Sequence, residues 1–187
     1  MGGTVAVEPG VYSSSVPSSS VVSSSTTMFL TLDYHGRIEC SAALSCRLSG
    51  AGSPHARRRV LAVDGTGGGE LAVSGIKFVN GAGDGGGGGG GGLQLLRGRV
   101  EVMACTFSAN DAGGNGLGGA IAVSSGGQLS LSAVAFTSNT ALSFTDVFAE
   151  DCGTAVVSGE CGEGFEGSGG QGERIDVGGE GVSGERE

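Results

Sequence analysis

A short hydrophobic pattern occurs three times in this chain at a spacing of 29 residues. Segments Glu70–Phe78, Arg99–Phe107 and Gln128–Phe136 align without gaps. Each reads apolar-x-apolar, then a small residue (Gly75, Ala104 or Ala133), then apolar-x-Phe. The columns Leu71, Val100 and Leu129, then Val73, Val102 and Leu131, then Phe78, Phe107 and Phe136 all keep this step. Alternation of this kind puts one set of side chains on a single face of a strand. The small residue suits a corner after which a second strand begins. An asparagine follows each Phe, at Asn80, Asn110 and Asn139. Asn tolerates the left-handed backbone that such a corner needs, and stacked side-chain amides can form a hydrogen-bonded ladder.

A second half-repeat completes the coil. Gly91-Gly92-Leu93-Gln94-Leu95 corresponds to Gly119-Ala120-Ile121-Ala122-Val123, with an earlier echo in Val60-Leu61-Ala62-Val63. About three short strands per coil, repeated at a fixed period, describe a solenoid. The expectation is an all-β chain: a right-handed parallel β-helix of about four coils, its handedness following the crossover rule. A sandwich of hairpins would also alternate, but gives no reason for fixed columns of Phe and Asn.

The helix is expected over residues 1–157, opening with the strand and Pro-Gly turn of Thr4–Tyr12. Within it, residues 13–27 read as a Ser-rich loop and residues 84–92 as a flexible glycine loop bulging from one coil, tolerant of shortening. His55–Arg59 reads as a solvated basic turn. Residues 158–187, rich in Gly and Glu, read as a disordered tail. With no visible capping element, the stack is expected to be an uncapped stretch of a longer β-helix, in contact with its further coils.

Composition sharpens the class. The chain of 187 residues has 41 Gly, no Trp and 16% charged residues. Glycine at that level argues against helices, where each interior Gly costs roughly 0.5–1 kcal/mol relative to Ala. The net charge is -9, which disfavours nucleic acid as a partner. No apolar run is long enough to span a bilayer, and the first residues lack signal-peptide character. Of the five cysteines, Cys40 and Cys46 lie close enough for a disulfide, as do Cys152 and Cys161, leaving Cys105 as a free thiol. Their spacings match no zinc pattern, and neither a metal nor another cofactor is expected.

Phe107-Ser108-Ala109-Asn110 and Phe136-Thr137-Ser138-Asn139 match an FxxN motif, and Gly118-Gly119-Ala120-Ile121 matches GGA[ILV]. Alternating in phase, these resemble the repeats of the polymorphic outer membrane proteins within the pectin lyase-like superfamily. The resemblance covers residues 60–145 well and 4–60 loosely. It implies a right-handed β-helix, secreted or at the cell surface, engaged in adhesion or contact with polysaccharide or a cell-surface glycan. The superfamily also includes polysaccharide lyases and hydrolases, so a polysaccharide-active enzyme is the alternative.

No catalytic constellation is visible. Carboxylates for acid–base work or sugar binding must converge on one sheet face. Asp33 and Asp64 each follow an apolar-x-apolar run, and would lie about 4.8 Å apart if those runs stack. Arg97 and Arg99 could then hold an acidic sugar. His35 and His55 read as surface residues.

Overall fold

The computed structural model describes residues 3–13, 31–32, 35–50, 58–65, 70–83, 89–114, 116–124, 127–142, 144–149 and 154–158. These residues contain no helix. Their strands, numbered in chain order, pair in parallel with the next coil and stack as a β-solenoid of about four turns.

Three faces run along the stack. The first contains β1 (Gly3–Val7), β4 (Gly36–Cys40), β7 (Glu70–Ser74), the second part of β9 (Leu93–Met103), β12 (Gly127–Ser132) and β15 (Thr154–Ser158). The second contains β2 (Gly10–Ser13), β5 (Cys46–Ser49), β8 (Ile76–Val79), β10 (Thr106–Ser108) and β13 (Ala135–Thr137). The third contains β3 (Thr31–Leu32), β6 (Leu61–Asp64), the first part of β9, β11 (Ile121–Val123) and β14 (Val147–Ala149). Strand β9 serves two faces because it changes direction at Gly98, whose φ of 91° falls where side chains are rarely accommodated.

The repeat in the sequence becomes register in the stack. Leu71, Val100 and Leu129 pair across β7, β9 and β12, and Val73, Val102 and Leu131 do the same two residues on. All six are buried. On the second face Phe78, Phe107 and Phe136 pair in register. The Phe78 and Phe107 rings stack with centroids 4.6 Å apart, and those of Phe107 and Phe136 lie 5.6 Å apart. Phe107 is fully buried between its neighbours, whereas Phe136 is only partly buried.

Corners follow a similar rhythm. Gly75, Ala104 and Ala133 all take positive φ, as the small residue at the bend suggests. At the second corner the left-handed residues are Asn80, Ala109 and Ser138, so the expectation that Asn110 and Asn139 adopt this conformation is corrected. Asn110 and Asn139 come one residue later and turn their side chains inward, where both are buried. The Asn110 side-chain amide donates to Asn139 Oδ1 (3.0 Å) and to the Phe78 carbonyl (3.1 Å). Asn139 in turn donates to the Phe107 carbonyl and to Asp146 Oδ1. On the preceding coil, where the asparagine comes one position early as Asn80, Gly81 occupies the rung and its N–H donates to Asn110 Oδ1 at 2.9 Å. The ladder therefore spends its polar atoms on otherwise unpaired corner groups.

The glycine run is not all loop. Residues 84–88 lie outside the described residues, but Gly89–Gly92 are buried in the stack. A Cβ on Gly92 would stand 2.7 Å from the Phe107 ring, so only glycine lets the coil close over that side chain. The serine-rich stretch 14–30 and the tail from residue 159 lie outside the described residues.

Two outcomes test this packing. Phe107→Ala should cost about 3–5 kcal/mol by denaturant titration, with Phe136→Ala costing less because its ring is only partly covered. Asp146, buried beneath the asparagine ladder, has its carboxyl raised above the ordinary 3.8 by burial, against a smaller opposing effect of the Asn139 hydrogen bond. Ionisation is thus harder in the folded chain, and stability should fall as pH rises above that ordinary value. Asp146→Asn keeps an acceptor for Asn139 and should remove this component, measured as the urea midpoint against pH.

Candidate functional site

The faces differ in what they offer to solvent. On the third face even the residues that alternate with the interior ones are shielded: Ala62, Gln94 and Ala122 are buried. The first face is open. Its outward positions form rows across successive coils because each strand pairs with the next without slippage. One row is Thr4, Arg37, Ala72, Glu101 and Ser130, and a second is Glu70, Arg99 and Gln128.

A cleft of about 430 Å³ lies over these rows, with His35 at its side. Its floor is low at Ala72, whose methyl group lies between Arg37 on the preceding coil and Glu101 on the following one. Arg99 Nη1 stands 3.5 Å from Glu70 Oε1, and Arg37 stands 3.7 Å from Glu39 just outside the cleft. All four of these side chains are about half exposed or more, so neither pair contributes more than about 1 kcal/mol to stability. The Glu70 N–H donates to His35 Nδ1 at 3.1 Å. That bond needs a lone pair on Nδ1, which places the proton of the neutral ring on Nε2.

The residues singled out in the sequence are distributed differently. Asp33 lies outside the described residues, so its stacking on Asp64 is not described either. Asp64 is the last residue of β6 and meets Arg97 across the β6–β9 pair, where the register shifts. Arg97 grips it with two hydrogen bonds, Nε to Oδ1 at 3.0 Å and Nη2 to Oδ2 at 3.2 Å. Arg97 and Arg99 therefore flank the Gly98 corner with a carboxylate already on each, and only Arg99 reaches the cleft. His35, Arg37, Glu70, Ala72 and Glu101 were not expected in a site. The repeat carried the signal for three of them: Ala72 and Glu101 occupy the outward position between its first two apolar columns, and Glu70 the outward position before them.

Of two further groups, the basic turn departs from its expected place, whereas Cys40, Cys46 and Cys105 keep theirs. The basic turn at 55–59 is not wholly solvated, since Arg59 is buried at 1% exposure. Its Nε donates to the Gly90 carbonyl at 3.0 Å and its Nη2 to the Gly89 carbonyl at 3.1 Å. The guanidinium thus anchors the packed end of the glycine run. Cys40 and Cys46 form a disulfide closing the short loop between β4 and β5, while Cys152 and Cys161 lie outside the described residues. Cys105 is a free, buried thiol, pushed up to about 11 by burial, with backbone hydrogen bonds pulling the other way. At neutral pH it is a protonated core residue and no nucleophile.

Among the described residues no cluster of His, Cys, Asp or Glu is arranged to hold a metal ion. No helix of the described residues is long and apolar enough to cross a membrane. Compared with models of known protein families, with curated proteins and with solved structures, the chain matches none.

The two kinds of arginine should separate in a stability measurement. Arg59→Ala leaves buried glycine carbonyls without their donor and should cost at least about 1–3 kcal/mol. Arg97→Ala removes a largely exposed ion pair and should cost no more than about 1 kcal/mol. Thermal or chemical denaturation of the two variants makes the comparison.

Proposed function

We propose that this chain is a non-catalytic, glycan-binding β-helix module, acting in adhesion or in contact with cell-wall polysaccharide from a secreted or cell-surface position. The observation that carries this reading is the open polar cleft on the first face, where hydroxyl, carboxylate and guanidinium groups of successive coils stand in rows. Adjacent coils lie about 4.8 Å apart, roughly the length of one sugar ring, so an extended glycan lying along the stack axis can meet an equivalent row position at each ring. Sugars are bound by such convergent polar groups around a small apolar floor, here supplied by Ala72. The in-phase FxxN and GGA[ILV] motifs, which resemble polymorphic outer membrane protein repeats of the pectin lyase-like superfamily, support the same placement. The acidic balance of the chain favours such a ligand over nucleic acid.

Retention on a broad panel of immobilised glycans and cell-wall polysaccharides tests the reading. At least one glycan should retain the protein without being consumed. Ala72→Gln, which fills the floor of the cleft, should abolish retention while leaving the melting temperature within about a degree or two of the parent, as surface substitutions usually do. A panel on which nothing is retained, or retention indifferent to Ala72→Gln, contradicts it.

A further inference from the structure

We infer that the cleft selects a glycan segment that presents hydrogen-bond donors and carries no carboxylate, with Glu101 as the acceptor that reads it. The inference rests on the glycan-binding reading above and deepens it. Its basis is which charges in the cleft are already matched. Arg99 faces Glu70 at 3.5 Å and Arg37 faces Glu39 at 3.7 Å. Each guanidinium is therefore partly neutralised by a carboxylate beside it. Glu101 differs: among the described residues its carboxylate has no ion-pair or hydrogen-bond partner, and it is exposed at the cleft.

Position gives that carboxylate its role. Glu101 pairs with Ala72 on one side and with Ser130 on the other, and Arg37 stands beyond Ala72. A ring seated over the Ala72 methyl is thus bounded by Arg37 and by Glu101, with Ser130 on the coil beyond. The cleft holds Arg37 and Arg99 against Glu70 and Glu101, and Glu39 stands just outside it beside Arg37. A uronate ring would set its carboxylate against the unpaired Glu101, with both guanidinium groups already facing a glutamate. Adjacent hydroxyls of a neutral sugar can donate to Glu101, as can the ammonium of an amino sugar, and bonds to an ionised acceptor are the strong ones.

Calorimetric titration of the full chain with cellohexaose, chitosan hexasaccharide and hexagalacturonate separates the cases. Cellohexaose or chitosan hexasaccharide should bind, and hexagalacturonate at least about tenfold more weakly. Affinity for chitosan hexasaccharide that falls with added salt identifies the ammonium as the donor; salt-insensitive binding of cellohexaose identifies hydroxyls. Glu101→Gln should weaken the preferred ligand by about tenfold with the melting temperature unchanged, and Glu101→Lys should improve hexagalacturonate. Hexagalacturonate binding best, or an affinity indifferent to Glu101→Gln, overturns this inference while leaving glycan binding intact. Absence of binding to all three and to the broader panel defeats the glycan reading itself.

Discussion

The interior side chains of the described strands keep their places because each strand is hydrogen-bonded, in parallel, to its counterpart on the next coil. A one-residue slip at any rung would turn a set of Leu, Val and Phe side chains out of the core and bring polar neighbours in. The strands of the second face are only three or four residues long and could not enforce this alone. Register is held by their accumulation: apolar columns, stacked phenylalanine rings, and the buried asparagine pair that ties together the second corners of three successive coils. The asparagines add specificity because their amides are satisfied only when successive coils are in phase. Buried polar groups left unmatched are costly, so a slipped stack is penalised twice.

Much of this was legible in the sequence because a solenoid writes its period into the chain. The step of 29 residues from Phe78 to Phe107 to Phe136 is a distance along the sequence and a neighbour relation in space. The first corner was equally readable from its small residues Gly75, Ala104 and Ala133, although its positive φ is taken freely only by the glycine. The second corner misled because asparagine has two uses. It is a good left-handed residue and a good interior hydrogen-bonding residue, and here Ala109 and Ser138 take the strained position while Asn110 and Asn139 take the interior one. Burial of Arg59 and of Gly89–Gly92 was hidden for a related reason. Arginine and glycine runs are normally solvent-facing, and only the geometry of the corner shows that glycine carbonyls are left for a guanidinium to meet.

The candidate site was less legible than the core for a reason that follows from the fold. Apolar columns announce themselves by repeating one chemistry, whereas the outward row does not. The row Arg37, Ala72, Glu101, Ser130 changes character at every coil, so no motif marks it. Searching for carboxylates after apolar runs found Asp64, which the stack commits to Arg97. The outward positions of β7, β9 and β12 could have been read from the same alignment that yields the core. The scaffold supplies regular spacing, differences between coils supply varied chemistry, and charge matching along the face leaves some side chains paired and others not.

The central claim is the parallel register of successive coils, and ring-to-ring proton contacts in solution by nuclear Overhauser spectroscopy test it most directly. Stacked centroids at 4.6 and 5.6 Å require the Phe107 ring to show contacts to both Phe78 and Phe136. The outer two rings, separated by the middle one, should show none to each other. That pattern identifies a column with one phenylalanine per coil. Direct contact between Phe78 and Phe136, or a Phe107 ring close to neither, would contradict it.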